Sequence, residues 1–212
     1  MKTADLIERL AADTAVHAKP PAAVVGWAFG SGSLVSVALF VAFISWRPDI
    51  AAAAETVRFL LKFVIAVTLA VGAIGLVLRL SRPAVPPGPW PWLMLAAGLL
   101  LAVSLIVELA VVPGEQRLSR LIGVNWYYCL ILIPLLSAAP LAGLLYTLRA
   151  GAPENPGLSG AVAGLAAGGI AATIYAAHCP DDSPLFVATW YTLAIGVVTL
   201  TGMFAGRRLL RW

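Results

Sequence analysis

The chain has 212 residues, 61% hydrophobic and 11% charged, with 14 basic and 10 acidic residues for a net charge of +4 and a mean hydropathy of +0.93. Soluble domains are roughly 45–50% apolar and 25% charged, so this composition excludes a soluble globular chain, a disordered one, a collagen and a disulfide-rich scaffold. A bilayer span takes about 20 apolar residues, so six spans use about 120 and leave no room for an added catalytic domain.

The amino-terminal segment, residues 1–23, is polar and mixed in charge. Residues 3–16 can form a short helix, with Thr3 as its cap, Asp5 in the first turn, and Leu6, Ile7, Leu10 and Ala11 on one face. Pro20 and Pro21 separate it from the first apolar run. It lacks the basic start and cleavage site of a signal peptide. Residues 24–212 are expected to form an all-α transmembrane bundle whose six spans cover about 24–45, 59–78, 90–111, 124–146, 158–177 and 185–205. Arg47-Pro48-Asp49 breaks the first from the second, and Pro83, Pro86 and Pro87 break the second from the third. The last two are joined by the short polar turn 178–184, as in a helical hairpin.

Basic residues near span ends stay on the cytoplasmic side. With the amino terminus inside, Lys2, Arg9, Lys19, Arg79, Arg82, Arg149, Arg207, Arg208 and Arg211 are inner, whereas Arg47, Arg58, Lys62, Arg117 and Arg120 are outer. Both termini are then cytoplasmic, and the positive excess reads as topology, not as affinity for nucleic acid. Trp and Tyr favour the headgroup zone; Trp27, Trp90, Trp92 and Trp212 mark the inner belt and Trp46, Trp126, Tyr127, Tyr128 and Trp190 the outer one.

Within the spans, Gly160, Gly164 and Gly168 recur every four residues, a stripe that lets another helix approach closely; Gly202 and Gly206 repeat it in the last span. Pro134 and Pro140 each remove a backbone donor from the fourth span. Glu108 lies near the outer end of the third span, within reach of Arg117 or Arg120, while Arg58 and Lys62, one turn apart, read as interfacial anchors.

The two cysteines are the most informative pair. Cys179 sits in the outer turn. Cys129 is four residues past Asn125, about 6 Å below the outer boundary at 1.5 Å per residue. At one depth they can form a disulfide, offer two thiolates to an oxidant or a soft metal, or simply be small buried side chains. His178, Asp181 and Asp182 enlarge the metal option, as imidazole and carboxylate complete common sites. No phosphate loop, HExxH or Ser/His/Asp constellation is present, no catalytic residue is assigned, and the chain does not read as an enzyme. A thiol-redox enzyme usually shows CxxC, and a transporter would place charge at mid-depth; both remain as alternatives.

The second half carries Asn125-Trp126 with Cys129, Ile133-Pro134-Leu135-Leu136, Pro140-Leu141, Leu148-Arg149-Ala150-Gly151-Ala152-Pro153, and His178-Cys179 followed by Asp181-Asp182-Ser183-Pro184-Leu185-Phe186. These motifs resemble the NrsF family of bacterial six-span inner-membrane anti-sigma factors. The resemblance implies a negative regulator that holds an extracytoplasmic-function sigma factor at the inner membrane and releases it under metal or oxidative stress. It further implies that Cys129 and Cys179 sense that stress, and that Leu6, Ile7 and Leu10 contribute the sigma contact. The partners expected are the sigma factor and membrane lipid, without direct nucleic-acid binding. No cofactor is expected beyond a possible regulatory metal ion.

Overall fold

The computed structural model describes Thr3, Asp5, Ile7, Glu8 and residues 21–210, and these are helices joined by short turns. The four amino-terminal positions are helical. The helices are α1 (Pro21–Leu39), α2 (Ile50–Ala53), α3 (Val57–Leu80), α4 (Trp90–Val111), α5 (Gly114–Ile122), α6 (Trp126–Ala150), α7 (Pro156–Ala176), α8 (Pro184–Phe186) and α9 (Thr192–Leu209). A π-helical turn, Phe40–Ile44, continues α1, and another, Val187–Tyr191, fuses α8 to α9. Lipid offers the backbone no hydrogen-bond partners, so strongly apolar segments close their ladders internally as helix.

Among the described residues five helical stretches are long and apolar enough to cross a membrane: Val57–Leu80, Trp90–Val111, Gly114–Ala150, Pro156–Ala176 and Pro184–Leu209; Phe29–Ile44 is a shorter apolar one. The second, fourth, fifth and sixth expected spans are longer as helices than as apolar runs. Their extra turns are fixed by polar ends that hydropathy passes over. Thr56 accepts the Phe59 amide at the start of α3, and Asn155 accepts the Leu158 amide at the start of α7, where Pro156 occupies the first helical position. The short helix α5, which the apolar pattern does not predict, is amphipathic and carries Arg117 and Arg120.

The small-residue helix α7 forms the centre, packed by α9, α3 and α6, with α1 against α6 and α4 against α3. Its glycines set that arrangement. A Cβ on Gly160 would meet the Gly202 carbonyl and, at 2.9 Å, the Gly206 Cα; one on Gly164 would meet the Val198 carbonyl at 2.6 Å; one on Gly168 would touch Ile195 at 3.1 Å. On another side Gly169 abuts Ala70 of α3. Without hydrophobic drive between helices in lipid, such backbone approach is what holds them together. Two apolar clusters result. One holds Cys129, Cys179, Ile133, Tyr175, Phe186 and Tyr191, and the other gathers Val77, Leu144, Leu148, Ala163 and Val198.

Candidate functional site

The turn 177–183 closes one end of the bundle, and most of its residues are tied to the α1–α2 loop, α3, α4 or the start of α6. The Arg47 amide donates to the Ala177 carbonyl at 3.1 Å, and His178 Nδ1 lies 3.0 Å from the Ser45 carbonyl oxygen. The Cys179 carbonyl accepts from Lys62 Nζ at 2.9 Å and from Arg47 Nη1 at 3.3 Å. Asp181 accepts the amides of Val124 and Asn125 at 3.1 and 2.9 Å, placing a carboxylate at the positive end of α6. Gly123 makes this approach possible: its φ is +61°, and a Cβ there would strike the Phe186 ring and the Asp181 carboxyl.

Asp182 bridges two cations, Lys62 Nζ at 2.5 Å and Arg47 Nη1 at 2.8 Å. Arg47 also pairs with Asp49 at 2.7 Å. That hydrogen-bonded pair holds the Asp49 carboxyl down to about 2 and raises the Arg47 guanidinium above its ordinary value. Ser183 Oγ donates to Glu108 at 3.1 Å, and Glu108, 4% exposed, is clamped by Arg58 at 2.9 Å and Arg120 at 3.3 Å. Trp190 Nε1 donates to the Leu121 carbonyl at 2.8 Å, joining α9's leading turns to α5.

Beneath this network lie the two cysteines, both free and both fully buried. Residues fifty apart in sequence thus share one buried cluster. The Cys129 thiol holds the Cys179 thiol below its ordinary value; burial opposes this, and the Lys62 ammonium adds to the lowering. Tyr175 and Tyr191 belong to the same cluster, their buried hydroxyls having no hydrogen-bond partner among the described residues. The tyrosine rings stand 6.0 Å apart.

The residues expected to enlarge a metal site have other partners. Asp181 caps α6, Asp182 neutralises Lys62 and Arg47, and His178 faces the Ser45 carbonyl. Among the described residues no three His, Cys, Asp or Glu side chains come together as metal donors.

Two of the cations that the charge pattern reads as outer behave differently from that reading. Lys62 is no interfacial anchor: at 2% exposed it turns inward to Asp182. Arg117 is not a partner of Glu108 but donates to the carbonyls of Leu109 and Val112, the open C-terminal end of α4. Arg47 and Lys62, whose side chains hold the turn, are not among the site residues that the sequence singled out. For Lys62 the available signal was an ionisable group inside an apolar span, whose usual reading is a buried partner. Ile7 is 62% exposed, while Leu6 and Leu10 lie outside the described residues.

A family model described as "Negative regulator of sigma F" matches residues 10–212. The probable anti-sigma-F factor NrsF of Azospira oryzae is 35% identical over the full length of both chains. The anti-sigma-F factor NrsF of Caulobacter vibrioides is likewise 35% identical over the full length of both. No solved structure matches. With full-length relatives and a family model reaching almost the whole chain, the protein belongs to the NrsF family.

Proposed function

We propose that this protein is an anti-sigma factor that holds an extracytoplasmic-function sigma factor at the bacterial inner membrane and releases it when Cys129 and Cys179 are oxidised. In this reading α1 with its π turn forms a sixth span, both termini are cytoplasmic, and the cysteine turn faces the periplasm. The amino-terminal helix, with Leu6, Ile7 and Leu10 on one face, forms the sigma contact. The names of the relatives support the regulatory role.

The observation that carries the sensing step is that two fully buried cysteines share one cluster under a turn tied to α3, α4, α6 and the α1–α2 loop. A peroxide would take both thiol hydrogens and two electrons: two Cys–SH and one hydrogen peroxide give one disulfide and two waters. Forming the bond draws the two sulfurs to about 2.05 Å apart. Every tie of the turn then feels the displacement, including Asp182 to Lys62 and Ser183 to Glu108. The glycine seam between α7 and α9 gives that displacement a rigid route to the opposite end of the bundle. A hundredfold loss of sigma affinity requires a coupling of about 2.7 kcal/mol, an ordinary value for allostery. A metal signal would act on the same two sulfurs, which suit a soft cation.

The test is co-purification of the sigma factor with the intact protein and with residues 1–20 deleted, each reduced and peroxide-treated. The sigma factor is expected with the reduced intact protein alone. Failure to recover any sigma factor with the intact protein in either redox condition overturns the reading.

A further inference from the structure

At the cysteine end a cavity of about 780 Å³ opens between α3 and α4, beside α8. That volume lies within the roughly 300–1,000 Å³ typical of small-molecule sites. Its two ends differ in chemistry. Leu100, Val103 and Val107 of α4 line the deeper part, and Val103 and Val107 are more than half exposed, so the cavity opens sideways from the bundle. Arg58, Arg120, Glu108 and Ser183 line its mouth.

The mouth is positive. Glu108 supplies one negative charge against the two arginines, and Asp182, which also lines the cavity, is already matched by Arg47 and Lys62. A guanidinium carries five N–H donors. Arg58 spends Nε and Nη2 on Glu108, while Arg120 spends one bond from each terminal nitrogen on Glu108 and Gln116. Donors remain on both, and their side chains are 44% and 35% exposed. The level in the bilayer is also marked. Arg58 lies in the first turn of α3 and Glu108 in the last turn of α4, at the same end as the half-exposed Trp126, Tyr127 and Tyr128, residue types that favour headgroups.

A cationic mouth at headgroup level above an apolar slot open to the bilayer matches one class of molecule. We propose that this cavity binds an anionic phospholipid, its phosphate on Arg58 and Arg120 and an acyl chain along Leu100, Val103 and Val107. A zwitterionic lipid would bring its own cation against the arginines, so the site discriminates by headgroup charge. Asp182 and Ser183 belong to both the cavity wall and the cysteine turn, so the bound lipid braces that turn. The proposal is independent of the sigma-factor reading.

The test uses the full-length protein, delipidated in detergent, with retained lipid counted by native mass spectrometry during titration with phosphatidylglycerol or phosphatidylcholine. The wild type is expected to retain at least about fivefold more phosphatidylglycerol, a difference of about 1 kcal/mol. Arg120→Gln, which leaves Arg58 on Glu108, should bring the ratio towards one. Val107→Trp, which fills the slot and keeps every charge, should lower retention of phosphatidylglycerol at least fivefold in a chain that remains monodisperse. Equal retention of the two lipids by the wild type, or a preference that survives in both variants, overturns the proposal. Inorganic phosphate that blocks phosphatidylglycerol at equal concentration also overturns it, since the slot would then read an anion alone.

Discussion

Ser36 of α1 donates its hydroxyl to the Leu136 carbonyl of α6 at 2.6 Å, and that carbonyl is the acceptor that Pro140 leaves empty. In an uninterrupted helix the amide of residue 140 would satisfy Leu136, but proline has none. Gly32, one turn before Ser36, lets α1 come close enough: a Cβ there would sit 2.7 Å from the Ala139 carbonyl oxygen. A proline that removes a backbone donor is thus also a docking point for a neighbouring helix.

Ser36→Ala is expected to destabilise the bundle by about 1 kcal/mol, the scale of one buried hydrogen bond in a membrane protein. Pro140→Ala restores an amide for Leu136, so in that background the Ser36→Ala effect should largely vanish. A double-mutant cycle by unfolding in mixed micelles checks this. Additive effects of the two changes would show that the hydroxyl and the vacant carbonyl are not coupled.

Asp182 is the hinge of the charge network. Asp182→Asn leaves Lys62 buried beside no anion, and removing one partner of a buried pair costs about 3–5 kcal/mol. Asp49→Asn should matter little by comparison, because that carboxylate is 58% exposed. Joint replacement by Lys62→Met and Asp182→Leu is expected to recover much of the loss, since it removes both charges from the interior. Thermal unfolding in detergent orders the three variants, and an Asp49→Asn loss as large as that of Asp182→Asn contradicts the assignment.

Much of the helical layout was legible because lipid leaves an apolar run few alternatives to helix. The glycine repeats were legible too, since spacing alone puts residues 160, 164 and 168 on one stripe. What could not be read was pairing across distance. Lys62 and Asp182 are 120 residues apart, and no periodicity says that a lysine near a span end will turn inward to meet the second aspartate of a distant turn. The same holds for Arg58, whose partner Glu108 is on another helix fifty residues away. Helix α5 escaped for the opposite reason: its polar face hid a nine-residue helix between two long apolar ones.

Lys62 also bears on the chemistry of Cys179, after Cys129 and burial. The ammonium is among the influences that lower this thiol's pKa, so Lys62→Met should raise it, and the thiolate should then form only at higher pH. Site-resolved alkylation by a small neutral reagent should show the half-maximal rate at Cys179 moving upward in pH. A change that acted only by loosening the fold would raise the rate at every pH without moving its midpoint. Arg47 remains on Asp182 in this variant and keeps the turn in place.

The seam between α7 and α9 makes the sharpest contrast among the glycines. Gly160 and Gly202 each stand where an added Cβ would enter the other's backbone, whereas Gly196, also on α9, has nothing within 4 Å. Gly160→Ala or Gly202→Ala must therefore push the helices apart, at about 1–3 kcal/mol for overpacking. Gly196→Ala should be neutral or slightly stabilising, since alanine is favoured over glycine in a helix by about 1 kcal/mol. The seam is also the route by which the cysteine turn would reach the opposite end of the bundle. Gly160→Ala, which keeps both thiols, should consequently blunt the peroxide-dependent release of the sigma factor while disulfide formation proceeds. Measuring sigma retention and free thiols in the same sample separates these two outcomes, and undiminished release in Gly160→Ala would remove the seam from the mechanism.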